Sequence, residues 1–506
     1  MGGSHKVSIS LLVVFLLVFS AVGTGIDQGD LLVDDLPSVN VLGRGLFETI
    51  TKAIDASKDG DVVLVGPGDY GESVIVDKSV TIIGNGPMTT YTSTYYVRTN
   101  NVVVQGHTFQ NIFNSNWNSA AGVTTQQTRA TTTSISGTTV RNCVFNNVQH
   151  GVYLFGATYS TVEDCTFTDS WRGVSIQNQV IGSGARYSHH NTVEDCTFTN
   201  MKENAGCEGE AIAINNTDYN TIKDNVIDDC PWGVMVHAGD HNTIEGNTIS
   251  NCSKDPIYIS SVSSTTTVKN NIIKDNKGNV DCRHSRGLSF TGNTVVNNTG
   301  PITLYNSNTI TFTGNTINGS TILLDRSITG TFATNTIIQT KKLAFDFLST
   351  MKGHFNHNIA TSNSLNGKPI YYNYNLASPV ISDTFAGAVI LAYCTNANVT
   401  NVEVEDGDGI RLFYSPYVNI TANVTNCLNG IEAIYSGNGL LDGCLVDAST
   451  RGKFGIRMLK SVGLDTHDCE ILPSTGPAWL IEGNDVYKCY NTTFPYTSVS
   501  ALSLIH

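Results

Sequence analysis

A seven-residue signature recurs about every twenty-two residues and restricts the fold more than any other feature. Thr161-Val-Glu-Asp-Cys-Thr-Phe167 returns as Thr192-Val-Glu-Asp-Cys-Thr-Phe198, then as Thr221-Ile-Lys-Asp-Asn-Val-Ile227 and Thr243-Ile-Glu-Gly-Asn-Thr-Ile249. Its fifth position is Asn or Cys, at Cys143, Cys165, Cys196, Asn225, Asn247, Asn271, Asn293, Asn315, Asn335, Asn358, Asn401, Asn423, Cys444, Cys469 and Cys489. Between copies lies Gly then apolar-x-apolar, as in Gly151-Val-Tyr-Leu154, Gly173-Val-Ser-Ile176 and Gly233-Val-Met-Val236. Alternation over such short runs marks strands with one buried face. Self-similarity at this period marks a solenoid. β-Branched alternation excludes helical repeats, and the leucine-rich pattern is missing. An all-β, single-stranded parallel β-helix remains. Roughly nineteen rungs, each advancing about 4.8 Å, make a rod on the order of 90 Å long. Such a coil lengthens without splitting into compact domains.

The Asn/Cys position follows from that geometry. One residue per rung turns inward at a bend and stacks on its copy in the next rung. Asn can hydrogen-bond along the column and tolerates left-handed backbone; Cys is a small buried substitute. His107 falls on the same column and reads as a buried structural histidine. The spacing predicts a helix over Glu48–Ser57, with Leu46, Phe47, Ile50, Ala53 and Ile54 on one face, capping the first rung. The expected organisation is a signal peptide over 1–25 and a leader with the capping helix over 26–58. A first repeat block follows over 59–360, and a second block over 361–506 continues the same solenoid.

Composition narrows the setting. The run Val7–Val22, after His5 and Lys6 and before small residues, reads as a secretory signal cleaved near 23–25. It is short for a membrane span, so membrane contact is expected only through this segment if it stays uncleaved. The body is expected to be secreted or at the cell surface. Eight N-x-S/T sequons begin at Asn215, Asn251, Asn297, Asn318, Asn398, Asn419, Asn423 and Asn491; Asn423, placed on the inward column, is expected to stay bare. The net charge is −14, with no Lys/Arg run, so nucleic acid is not an expected partner. Of the twelve Cys, the inward ones are expected as thiols. Cys230 and Cys252, at equivalent turns, are the expected disulfide. Ser503-Leu-Ile-His506 carries no capping pattern and no anchor motif.

With these motifs in view, the sequence resembles the right-handed parallel β-helix family with the pectin-lyase-like fold. Phe47-Glu-Thr-Ile50, then Asp59-Gly-Asp61 through Gly68-Asp-Tyr-Gly-Glu72, resembles the opening rungs of NosD-like proteins and pectin methylesterases. Asn366-Gly-Lys-Pro-Ile-Tyr-Tyr372 with Gly387-Ala-Val-Ile-Leu-Ala-Tyr-Cys394 is similar to the inter-repeat module of NosD-like archaeal surface proteins. The resemblance implies right-handed coiling and an envelope setting. The Arg-x-Pro-x-x-Arg, Asn-Thr-Asp and Gly-His-Gly motifs of this fold's lyases and hydrolases are missing. A closely spaced His/Met cluster for copper is missing too.

The densest mix of aromatics, acids and bases lies on the outward positions of the central rungs. Trp171, Arg172, Trp232, Lys254, Tyr258, Arg283, His284, Arg286 and Tyr305 are the candidate binding residues. Aromatic faces suit sugar rings, and interleaved charges suit uronates or sulfates. Insertions at 178–190 and 202–209 are placed to wall a groove. Glu210, His237 and Asp255 are the candidate catalytic set: a base to abstract a proton beside a carboxylate, or a carboxylate pair for hydrolysis. Glu208, Glu210 and Asp255 are the candidate Ca²⁺ ligands; no cofactor is otherwise required. Asp406-Gly-Asp-Gly409 reads as a turn rather than a Ca²⁺ loop, within a second stripe that includes Arg411, Glu432, Arg451 and Arg457. The expected role is binding a polysaccharide or glycan, or forming part of the envelope with other surface proteins. The alternatives are a polysaccharide lyase, epimerase or glycoside hydrolase, and a NosD-like metal-centre maturation factor.

Overall fold

The computed structural model describes residues 39–113, 120–125, 133–181, 184–204, 207–262, 264–339, 341–448, 452–472, 477–482, 487–494 and 499–502. The signal segment, the leader up to residue 38, Arg451 and 503–506 lie outside these residues.

Each turn of the coil supplies three short strands. The signature forms the first two and the Gly-apolar segment the third. Thr243–Glu245, Thr248–Ser250 and Ile257–Ser260 pair in parallel with Thr267–Lys269, Ile272–Lys274 and Val280–Arg283 one rung on. Repetition gives a nearly all-β parallel solenoid of about 18 turns. In each signature the second residue is buried, as at Val162, Val193, Ile222 and Ile244. Aromatics stack along the bore: Phe145 lies 4.8 Å from Phe167, and Phe167 4.6 Å from Phe198, the spacing of one rung. The recurrent glycine is required by this stack. A Cβ on Gly151 would lie 2.4 Å from the Phe167 ring, and one on Gly173 2.5 Å from the Phe198 ring.

The inward column exists. Asn225, Asn247, Asn271, Asn293, Asn315 and Asn335 are buried, and each Nδ2 donates to the next residue's Oδ1 at 2.7–3.2 Å. Cys143, Cys165 and Cys196 precede them, and Cys444 and Cys469 are again buried. Four expected members are not on the column. Asn358 is exposed because it aligns with Thr331 at the start of the signature, and Asn363 takes the bend place beside Asn335. Asn401 and Asn423 are exposed because each sits one residue off the inward place: Asn401 (φ 53°) takes the left-handed position before buried Val402, and Asn423 follows buried Ala422 and aligns with Leu445 rather than Cys444. Cys489 is exposed on the short strand Cys489–Tyr490. Two further amide ladders occupy other corners, Asn191–Asn220–Asn242 and Asn276–Asn298. His107 is buried, and desolvation lowers its pKa to about 3, as a structural histidine requires.

All twelve cysteines are free thiols, including Cys230 and Cys252. Stacked rungs present their side chains in parallel, which suits S–S torsion poorly. The Cys230 thiol turns to the Asp228 carbonyl at 3.4 Å instead.

The N-terminal end is closed as the edge argument requires. The helix is shorter than predicted, Ile50–Ala56, with Thr49 as N-cap and Ile50, Ala53 and Ile54 buried. Leu46 is not on its face. It is exposed in Gly45–Phe47, which pairs antiparallel with Val39–Val41, itself antiparallel to Val62–Val65. The Glu72 carboxylate accepts from Ile50 N–H at 2.7 Å and Thr51 N–H at 3.1 Å. A carboxylate at a helix N-terminus is electrostatically favoured, so the Gly68–Glu72 segment serves the cap.

The second block does not continue the same coil. Ser364–Leu365 turns back antiparallel onto Lys368–Tyr374 through Asn366 (φ 51°) and Gly367 (φ 83°), the two left-handed positions of a tight hairpin. Lys368–Tyr374 then starts a second parallel stack. Val389, Leu391, Ile410 and Leu412 form part of its separate core. Its outer face, through Ile390 and Phe413, packs on the end of the first coil, where Phe345, Phe347 and Phe355 plug the last rung. Arg411, expected on the second stripe, is buried in this joint. It contacts Glu432 at 2.8 Å, Asp346 at 3.3 Å and the Phe345 carbonyl at 2.8 Å. Asp408 accepts from Ala344 N–H at 2.8 Å, and burial pushes its pKa up to about 7.

Candidate functional site

The third sheet of the first coil carries the candidate residues. Its strands run side by side: Arg172–Gln177, Glu210–Asn215, Trp232–His237, Ile257–Ser260, Val280–Arg283 and Ile302–Tyr305. Register sets three rows on its outer face. The leading row aligns Arg172, Glu210 and Trp232; the middle row aligns Ser175, Ala213, Met235, Tyr258, Asp281 and Thr303; the trailing row aligns Gln177, Asn215, His237, Ser260, Arg283 and Tyr305.

Two short hairpins flank these rows. Gln179–Ile181 pairs with Gly184–Arg186 beyond the trailing row, and Glu203–Asn204 pairs with Cys207–Glu208 before the leading row. They arise from the insertions at 178–190 and 202–209. At the upper rungs the floor is covered: Tyr153, Ser175 and Ala213 are buried. Arg186 lies across this end, fully buried, donating to the Phe155 carbonyl at 2.6 Å, and burial lowers its pKa to about 10. Beyond this cover the floor is half-buried at Met235 and Tyr258 and buried again at Asp281 and Thr303, with His237 and Arg283 exposed in the trailing row.

On this stretch, cations and rings interleave. Lys254 Nζ sits 5.8 Å over the Trp232 ring, which meets Tyr258 edge-on at 5.4 Å. His284 meets Tyr305 edge-on at 5.2 Å, and Arg326 covers the Tyr305 ring at 5.5 Å. Arg283 is exposed but anchored: its Nη2 lies 2.6 Å from Asp281 Oδ2, a carboxylate with no solvent exposure. Asp255 is partly buried beside this pair and accepts from Asn279 N–H at 2.8 Å. Burial, opposed by that bond and reinforced by Asp281, raises its pKa to about 6. Trp171 stands at the corner before the sheet against Phe113, 5.0 Å away, and Arg286 is exposed at the corner after it.

The expected catalytic set does not converge. Glu210 begins its strand, while His237 ends the neighbouring one; five residues along a strand are about 16 Å. His237 Nδ1 is instead 2.8 Å from Ser260 Oγ. Glu210 is buried and engaged by Arg172 through two contacts, Nη2–Oε1 at 2.5 Å and Nε–Oε2 at 3.1 Å. Burial works against the Arg172 charge, but Glu210 more than offsets it and the pKa is raised. That carboxylate is a structural anion, not a free base. The expected Ca²⁺ ligands are likewise matched by cations. Glu208 Oε2 lies 4.0 Å from Lys254 Nζ, and Glu210 belongs to Arg172. Among the described residues, no group of three or more His, Cys, Asp or Glu side chains could hold a metal ion.

Sequence reasoning missed Asp281 and Arg326. Asp281 was legible as the middle residue of Val280-Asp-Cys282, an acid where the face otherwise bears neutral residues. Arg326 carried no signal of its own, since only the left-handed turn after Ile322–Asp325 swings it over Tyr305.

Stacked parallel rungs, a capped first turn and amide ladders define a parallel β-helix protein. Residues 74–208 and 172–317 match the family described as right handed beta helix region. A stretch of 67 residues is 37% identical to a protein named cell surface glycoprotein from Methanothermus fervidus, covering 12% of this chain and 11% of that one. The match thus spans about a tenth of that relative's length. The fold is also similar to a PL6 family polysaccharide lyase from Pseudopedobacter saltans (13% identity, TM-score 0.42, 62% of this chain and 90% of that one). A further similar structure is PfbA, a surface adhesin of Streptococcus pneumoniae (14% identity, TM-score 0.40, 68% and 87% covered). Likeness at this level concerns the coil alone.

Proposed function

We propose that this is an exported cell-surface β-helix protein whose third-sheet face binds an extended acidic polysaccharide. The observation that carries the reading is the alternation of rings and cations across successive rungs: Trp232 with Lys254, then Tyr258, then Arg283 on its buried Asp281, then Tyr305 with Arg326. Rings offer faces and edges to sugar C–H groups, and fixed guanidinium and ammonium groups meet carboxylates or sulfates. Trp232, Tyr258, Arg283 and Tyr305 are held on strands of the sheet, so little ordering of these side chains is left to oppose binding. Export is supported by the apolar run before the coil and by the short match to a surface glycoprotein.

One observation supports an enzymatic reading: Asp255, with its pKa raised to about 6, is suited to carry a proton beside Arg283. Titration calorimetry of the full chain with polyuronate and neutral glucan oligomers tests both. Binding of the acidic oligomer, weakened at least tenfold by Trp232→Ala and by Tyr305→Ala, is expected, with no new reducing ends or unsaturated products. Equal affinity for neutral and acidic chains, or variants that bind normally, would overturn the site. Product formation abolished by Asp255→Asn would replace binding with catalysis.

A further inference from the structure

The register of the second coil puts a sequon outside the core and beside an exposed ring. Asn423 begins Asn423-Val-Thr425 and faces solvent between buried Ala422 and Val424. In register across the same outer face lie Glu403 and then Phe385, on neighbouring strands. Phe385 is 60% exposed, an unusual state for a phenylalanine in mid-strand. These side chains, with Asp383, Val402 and Thr421, line a groove of about 400 Å³, within the range of sites that hold small ligands.

We infer that Asn423 carries an N-linked glycan whose first sugar packs into this groove against Phe385. The groove and its occupant are tied to one another: the acceptor amide is part of the wall, so the linked sugar begins inside. Phe385 offers a ring for the sugar's C–H face, and Glu403 a carboxylate for its hydroxyl or acetamido donors. Unlike Asn251, Asn419 and Asn491, which donate their amides to Asp228, Asn398 and Asp468, Asn423 donates no side-chain hydrogen bond among the described residues. In the transfer, Nδ2 attacks the anomeric carbon of a polyisoprenoid-phosphate-linked oligosaccharide. The C1–O bond breaks, the lipid phosphate leaves with its electron pair, an amide proton passes to a transferase base, and the N–C1 bond forms. The inference shares only the premise of export with the function proposed above; the third-sheet face plays no part in it.

The test uses the full chain secreted from an N-glycosylating host. Glycopeptide mass spectrometry is expected to find Asn423 occupied. Thermal melts of wild type, Phe385→Ser, Asn423→Gln and the double variant then form a cycle. Phe385→Ser is expected to lower the melting temperature by about 2–4 °C in glycosylated protein and not measurably in the Asn423→Gln background. A bare Asn423, whether other sequons are occupied or not, overturns the inference. An occupied Asn423 with additive melting shifts overturns the packing of its sugar. Neither result bears on polyuronate binding, which is measured separately at the other face.

Discussion

Replacing Asn293 by Ala strips a backbone N–H of its partner inside the coil. Its Oδ1 accepts from the Asn271 N–H at 3.0 Å and the Asn271 Nδ2 at 3.0 Å, while its Nδ2 donates to the Val268 carbonyl at 2.9 Å and to Asn315 Oδ1 at 3.2 Å. The Asn271 amide Nδ2 keeps bonds to the Ile244 and Lys269 carbonyls, and Asn315 Oδ1 keeps the Asn293 N–H. That leaves the Asn271 N–H unsatisfied in a site shut off from water, while the Val268 C=O keeps its place in the parallel ladder facing Thr291. An unsatisfied buried group costs about 1–3 kcal/mol, and the variant is expected to lose roughly that much. Asn293→Cys should lose less. Cys196 Sγ already accepts the Cys165 N–H, at 3.4 Å, one stretch up the same column. Urea unfolding followed by circular dichroism measures the loss. Because a solenoid can open locally, hydrogen exchange at 271–315 should show the same rungs opening first. An Asn293→Ala protein within about 0.5 kcal/mol of wild type, or one less stable than wild type only as much as Asn293→Cys, would refute the view that the amides hold the bends.

Other outcomes follow from the same geometry. Arg172→Ala leaves Glu210 charged and buried, and is expected to cost about 3–5 kcal/mol in denaturant unfolding, whereas an Arg172→Met, Glu210→Leu pair should fall near wild type. Asp408 titrates near 7 when folded and near its ordinary value when unfolded. Its favourable state is therefore fully present below about pH 4 and lost as pH rises through about 7. Asp408→Asn should accordingly stabilise the chain most at pH 8, by at most about 4 kcal/mol, with the gain vanishing near pH 4 in melts across that range; a pH-independent difference would contradict the burial argument. With every cysteine free and only Cys489 exposed, Ellman's reagent should label one thiol quickly in native protein and twelve in urea, and reductant should leave the melting temperature unchanged.

The repeat made the coil and one amide column legible, because each rung repeats the same local physics: an apolar residue in, a threonine out, an amide at the bend. Where that physics changes, the motif misled. The Asn at 423 satisfies the spacing, yet its rung is one residue shorter at the bend than the next, so Ala422 turns inward and Asn423 falls opposite Leu445 instead of Cys444. The reversal at Asn366-Gly367 was present as the strongest short hairpin signal. It was passed over because it lies within a segment whose apolar runs look like more rungs. The site was half legible. Period-two alternation puts Trp232, Tyr258 and Arg283 outside, but cannot say that Glu210 is neutralised by a residue thirty-eight positions earlier, since inserted hairpins decide which outward positions are covered.

The Asn366-Gly367 turn has a consequence for how such a chain can change length. The rungs carrying Asn293, Asn315 and Asn335 share the buried amide, yet each also holds a side chain with its own contact: Tyr305, then Arg326 over it, then the Phe345 and Phe347 stopper. Removing one would draw the second coil in by about 4.8 Å and take that contact with it, whereas an extra rung between the Asn315 and Asn335 turns would move the second coil out by the same step and keep Arg326 over Tyr305. The first coil can therefore lengthen in single steps more readily than it can shorten, with the returning hairpin as its fixed end-stop.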